Sequence, residues 1–178
     1  MSAEHISKSI AGAINYLNQH PGEARYTDAA VTAVWERGLK FRAEGPGGAL
    51  VVSDMPKAVG GEGSAPSPGW LMRAALATCD ATLIAMRAAQ EGVELTTLKV
   101  TVDSESDDRG LLGMDDKIHA GPLSMRTRIQ VGAEGASEEK LRGIVRWAEL
   151  HSPVADAICR AVPSKTEVEI ASAERRAR

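Results

Sequence analysis

The groups in this sequence best suited to covalent or redox chemistry are two thiols, Cys79 and Cys159. A cysteine reacts as its thiolate, so a reactive one needs a neighbouring cation and a path for its substrate. The pair lies far apart and forms no C-x-x-C unit, so both read as free thiols of a reducing, cytoplasmic compartment. Other chemistries find little support. His5, His20, His119 and His151 have no metal-ligand spacing with one another or with the cysteines, so no metal is expected. There is no G-x-S-x-G elbow for a serine hydrolase. The loop Gly60-Gly61-Glu62-Gly63 has neither phosphate-binding glycine spacing, reads as a flexible connector, and gives no reason to expect a cofactor.

Cys79 belongs to the most informative segment. Ser67 suits a helix N-cap and Pro68 the first helical position, and the helix can run to Glu91, with Gly92 placed to end it. On this Ala-rich helix Met72, Ala75, Leu76, Cys79, Leu83 and Met86 fall on one face by three- and four-residue spacing. Arg73, Asp80 and Arg87 mark a separate polar line. That pattern turns Cys79 toward packed apolar surface and Asp80 toward the polar side. A cysteine so placed is either a small inert hydrophobe or, with a cation beside it, a nucleophile.

The elements around it change period along the chain. Ile6, Ile10, Ile14 and Leu17 mark one face of a helix over residues 3–18, an amphipathic lid or dimer-contact element ended by His20-Pro21-Gly22. Residues 30–35 and 39–43 read as a hairpin, and residues 49–52 as a third strand. Strands follow at 98–103 and 125–131, the second alternating cleanly. Ser137 caps a helix with Leu141, Ile144, Val145 and Ala148 on one face. Ser152-Pro153 starts another, carrying Ala155, Ile158 and Cys159, and residues 167–170 suggest a last strand. Strands, a buried helix, strands, then helices make an α+β chain rather than a doubly wound one. The expected organisation is an N-terminal helical extension (1–22), a main domain (23–172) and a basic, disordered tail (173–178) containing Arg175, Arg176 and Arg178.

Composition narrows the function classes. The 178 residues suffice for one domain with a real core, and aromatics at 3% leave Ala, Val, Leu, Ile and Met to fill it. A net charge of −3 offers no basic surplus for nucleic acid. No apolar run approaches the ~20 residues of a membrane span, and no secretory leader is evident.

The run from Gly60-Gly61-Glu62-Gly63 through Ser67-Pro68 to Leu71-Met72-Arg73-Ala74-Ala75-Leu76-Ala77-Thr78-Cys79 resembles the OsmC/Ohr family. So do Gly92-Val93-Glu94-Leu95, the Arg109-Gly110-Leu111-Leu112-Gly113 loop and His151-Ser152-Pro153-Val154-Ala155-Asp156. The likeness spans about residues 27–171. It implies an intertwined homodimer whose antiparallel sheets pack around the long helices, with sites at the dimer interface. It also implies thiol peroxidase activity toward organic hydroperoxides in an oxidative-stress response. In such proteins a cysteine attacks the peroxide, an arginine of the first hairpin holds the thiolate, and a glutamate positions the arginine. Carried over, Cys79 matches the attacking cysteine and Arg37 falls near the hairpin arginine, with Arg42 a second candidate. The glutamate's position is Gly69 here, and Glu62 is a possible substitute. The second cysteine of the peroxidases, which begins a Cys-Pro step, is replaced by Ser152-Pro153, as in a Ser-Pro branch of the family. Cys159 lies roughly 10 Å farther along a helix, beyond the ~7 Å that disulfide partners tolerate, and is expected to pack in the core.

Two functions remain open at this point. Cys79 could reduce organic hydroperoxides in a one-cysteine cycle regenerated by an external thiol or dithiol. Alternatively, an interface pocket lined by Met72, Leu76, Leu83 and Met86 could hold an apolar small molecule, with Cys79 merely packing. Neither involves nucleic acid or a membrane.

Overall fold

A computed structural model describes residues 2–171, so the basic tail expected at 173–178 lies outside the described residues. Ser67 does cap the long helix, α2 (Pro68–Gln90), its hydroxyl accepting from the Trp70 N–H. The same device starts two later helices. Ser137 accepts from Lys140 at α4 (Glu138–His151), and Ser152 from Ala155 at α5 (Pro153–Cys159). Proline at the first turn of α2 and α5 costs no hydrogen bond, because that N–H would have no helical acceptor.

Ahead of α2 stand the helix α1 (Ala3–Gln19) and a three-stranded antiparallel sheet, β1 (Thr32–Arg37), β2 (Lys40–Glu44) and β3 (Leu50–Ser53), in that order. Behind it come β4 (Leu95–Glu105), the short α3 (Asp108–Leu111) and β5 (Ser124–Ala133). β4 and β5 pair antiparallel, Val100 opposite Ile129 and Leu98 opposite Val131. Against them pack α2 and α4, and the core is Ile84, Ala88, Val93, Ile144 and Ala148, backed by Leu98, Val100, Ile129 and Val131. The small Ala88 and Ala148 let the two helices approach closely, and the isoleucines fill the remaining space. The expected mix of helix and antiparallel sheet is present, with the long helix at its centre.

The face α2 buries differs from the expected one. Leu76, Asp80, Ile84 and Ala88 repeat every fourth residue toward β4 and α4, and Asp80 is only 4% exposed. Cys79 lies beside that stripe, half-buried. Alanine recurs on every face of this helix apart from the Arg73–Asp80–Arg87 line, so periodicity alone could not fix which face is buried. The arginines flanking Asp80 escape by length: Arg73 reaches Ser104, and Arg87 reaches Glu91 at the end of the helix.

Three other expectations are corrected. Cys159 is exposed rather than core, since α5 is only seven residues long and meets α2 with its start. Residues 167–170 form no strand: they pair with neither sheet, although both sheets keep open edges, and Val168 and Ile170 stay exposed. The Gly60–Gly63 loop is anchored rather than free. The Asp54 carboxylate, 1% exposed, accepts from the backbone N–H of Met55 (2.7 Å), Glu62 (3.2 Å) and Ser64 (2.9 Å) and from the Ser64 hydroxyl (2.8 Å). Gly61 passes so close to Met55 that a Cβ there would sit 1.8 Å from its carbonyl oxygen. The first sheet, by contrast, is poorly covered: Trp35 is 65% exposed, and Val34, Phe41, Leu50 and Val51 are exposed too. By the register Trp35, Phe41 and Val51 share one side and Val34 and Leu50 the other, and apolar side chains left uncovered in this way mark an interaction surface.

Two stability predictions follow from this packing. Ile144→Ala should cost about 2–5 kcal/mol, against within ~0.5 kcal/mol for the exposed Glu149→Ala on the same helix, both read from urea unfolding. The Asp54 carboxyl is held down to about 2, foremost by the Ser64 N–H, with the Ser64 hydroxyl and the other two amides adding and its burial opposing. Its folded value lies below the ~3.9 of an unfolded chain, so its stabilisation is full above about pH 4 and is lost as pH falls toward 2. Asp54→Asn should therefore melt below the wild type at neutral pH, and the gap should close on acidification through that window.

Candidate functional site

The sulfur of Cys79 meets one hydrogen-bonding side chain among the described residues. The Ser152 hydroxyl lies 3.2 Å from Sγ, and Ser152 is 1% exposed. Its place follows from local chain chemistry. Ser152 ends α4 and caps α5, so its Oγ accepts from the Ala155 N–H at 3.3 Å. A hydroxyl has one proton. With an N–H already aimed at its oxygen, that proton is left for the sulfur. Thus the residue at the second-cysteine position touches Cys79.

Arg37 and Glu62 also meet. Arg37 ends β1 at a register shift in the hairpin, and its guanidinium grips the Glu62 carboxylate through two bonds, Nε–Oε1 at 3.2 Å and Nη2–Oε2 at 2.9 Å. Hydrogen bonding first, and charge second, hold the Glu62 carboxyl below its usual value and raise the guanidinium above its own. Arg42, the other candidate cation, bonds Glu36 and Glu44 instead.

The two pairs do not meet within one chain. The Asp54 N–H bonds the Pro66 carbonyl, which fixes the Glu62 loop beside the start of α2. Cys79 lies about 18 Å along the helix from the Ser67 cap at about 1.5 Å per residue. No hydrogen bond joins Arg37 or Glu62 to Cys79 among the described residues. The apolar candidates also divide: Leu76 is buried and Leu83 packs half-buried against the core, whereas Met72 and Met86 are half-buried outside that cluster.

Sequence reasoning missed Asp54. The available signal was an Asp shortly before a glycine-rich loop, since a short carboxylate readily collects nearby backbone N–H groups. It also missed the burial of Asp80, whose Oδ1 has no hydrogen-bond partner among the described residues.

Comparison with known proteins agrees with the fold. The family model described as OsmC-like protein matches residues 61–167, more than half of the chain. Among solved structures, an OsmC-like protein from Mycoplasma pneumoniae superposes with a TM-score of 0.64 at 14% identity, covering 77% of this chain and 91% of its own. An OsmC-like protein of unknown function from Vibrio cholerae gives 0.62 at 15%, covering 74% and 94%. The organic hydroperoxide resistance protein OsmC of Legionella pneumophila gives 0.54 at 21%, covering 75% and 89%. No curated protein matches the chain in sequence. At these identities the solved structures establish the fold, and the family model and that fold together place the chain in the OsmC-like protein family.

Proposed function

We propose that the protein reduces organic hydroperoxides through Cys79 in a one-cysteine cycle regenerated by an external thiol or dithiol. The observation that carries this reading is the Ser152 hydroxyl on the Cys79 sulfur. A family member that keeps the cysteine and sets a hydroxyl against its sulfur retains the nucleophile, but has no second sulfur there to close a disulfide.

The cycle balances as follows. The Cys79 thiolate attacks one peroxide oxygen, the O–O bond breaks, and the alkoxide takes up a proton and leaves as the alcohol. Cys79 is then a sulfenic acid. An external thiol attacks its sulfur, water departs, and a mixed disulfide forms. A second thiol attacks the external sulfur of that disulfide, releases Cys79 and leaves as an external disulfide, the two thiols having supplied the two electrons that reduced the peroxide.

Arg37 is the cation in this proposal, held by Glu62 in place of the glutamate absent at Gly69. Because both stand beside the start of α2 and Cys79 lies at its middle, the reading assigns them to the Cys79 of a second copy, in a homodimer. The uncovered apolar sheet that carries Arg37 supports such an assembly. The half-buried Met72 and Met86 of α2, with the outer part of Leu83, would then receive the organic part of the substrate. The relative named for organic hydroperoxide resistance supports the same substrate class. No helix of the described residues is long and apolar enough to cross a membrane, in keeping with the cytoplasmic site expected for such a thiol.

Turnover of cumene hydroperoxide with dithiothreitol tests the proposal. Cys79→Ser should abolish it, Cys159→Ser should leave it intact, and Ser152→Ala should lower kcat/KM about tenfold, the scale of one hydrogen bond to a charged atom. A dimedone adduct on Cys79 after peroxide treatment should mark the sulfenic acid. Turnover that survives Cys79→Ser, or a wild type with neither turnover nor adduct, would leave the apolar ligand-binding reading in its place.

A further inference from the structure

We propose that Asp54 is a positioning residue that fixes the aim of Arg37 through Glu62. The inference deepens the functional reading above and rests on it for its effect on turnover, though not for its geometry.

Arg37 is a poor anchor for itself. It ends a strand at a hairpin whose sheet is largely uncovered, and its side chain is mostly exposed. A free arginine there would sample many rotamers, and holding one costs side-chain entropy. What holds it is the two-bond grip of Glu62. Glu62 in turn lies in a glycine-rich loop that could not present a carboxylate reproducibly without an anchor. The Glu62 N–H is tied to Asp54, and the Ser64 N–H and hydroxyl, two residues on, are tied to the same carboxylate. Met55 closes the near end of the loop, and the Asp54 N–H to the Pro66 carbonyl closes the far end. Gly61 and Gly63 bond back to Pro56 and Met55, and at Gly61 only glycine fits.

The carboxylate is chemically required. Three N–H groups and one O–H converge on two oxygens, and a carboxylate is an acceptor at both. Asparagine has nearly the same shape but replaces one oxygen with an NH2 that would face donors. Asp54→Asn therefore removes acceptors without emptying space, and donors left unpaired in a buried site are costly.

The test follows Arg37 and turnover separately in the full chain. The Arg37 Nε–H resonance, assigned by its loss in Arg37→Lys, should exchange slowly with solvent in the wild type and at least tenfold faster in Asp54→Asn. Turnover of cumene hydroperoxide with dithiothreitol should fall about tenfold in Asp54→Asn, with no further loss when the substitution is added to Arg37→Ala. Ser64→Ala, which removes one of the bonds and keeps the carboxylate, should shift both readouts in the same direction by a smaller factor and decides the matter if Asp54→Asn does not fold. An unchanged Arg37 signal overturns the proposal. So does an equal loss of turnover with and without Arg37, because Asp54 would then serve loop stability alone. Should the wild type reduce no hydroperoxide, the peroxidase reading fails, and the resonance alone decides the role of Asp54.

Discussion

The hydroxyl of Ser152 has one proton and two neighbours, and much of the molecule's chemistry follows from that. Its oxygen is committed to the first turn of α5, where an N–H would otherwise lack a partner. Its proton is thereby turned to Cys79. The contact depends on where α4 ends relative to the middle of α2, and packing sets that distance. Ile84 and Ala88 of one helix lie against Ile144 and Ala148 of the other, all nearly inaccessible to solvent. A shift of α4 by one turn, about 5.4 Å, would carry the hydroxyl out of reach of the sulfur. The core thus fixes the chemistry at one remove.

The other half of the proposed site is built by different means. No apolar core holds Arg37 in place. A relay of charged and polar groups does so, from Asp54 through the Glu62 backbone to the Glu62 carboxylate and the guanidinium. Such a relay suits a loop that must stay near the surface, where its partner sulfur would belong to another copy of the chain. It also explains how an arginine can remain fixed although the glutamate expected ten residues before the cysteine has become Gly69. Glu62 occupies a different place in the sequence but holds the same kind of group, and the anchored loop brings it to Arg37.

Much of this was legible in the residues. The three Ser caps, the proline at the first turn of α2 and α5, and the alternation around Ile129 and Val131 act locally, so their outcome is visible in a short window. The same holds for the order of elements and for the family likeness around Cys79. What stayed hidden depended on contacts between distant segments. The rotation of α2 could not be read because alanine is tolerated on every face, and only the position of β4 and α4 turned Asp80 inward and left Cys79 beside the stripe. Cys159 looked apolar enough for a core, yet its helix is too short to cover it. Residues 167–170 have the alternation of a strand, but alternation does not by itself bring a segment to a sheet, and here they pair with neither. The Arg37–Glu62 bond needed the Asp54 loop, whose glycines suggested freedom rather than anchorage.

The central claim is that Cys79 is the nucleophile that reduces organic hydroperoxides, and the most direct measurement is the rate at which cumene hydroperoxide consumes its thiol, with Cys79→Ser as the blank. The expected result is consumption far faster than that of a free small-molecule thiol, slowed about tenfold when either Ser152 or Arg37 is replaced by alanine. A rate no faster than the free thiol's, unmoved by both substitutions, would contradict it.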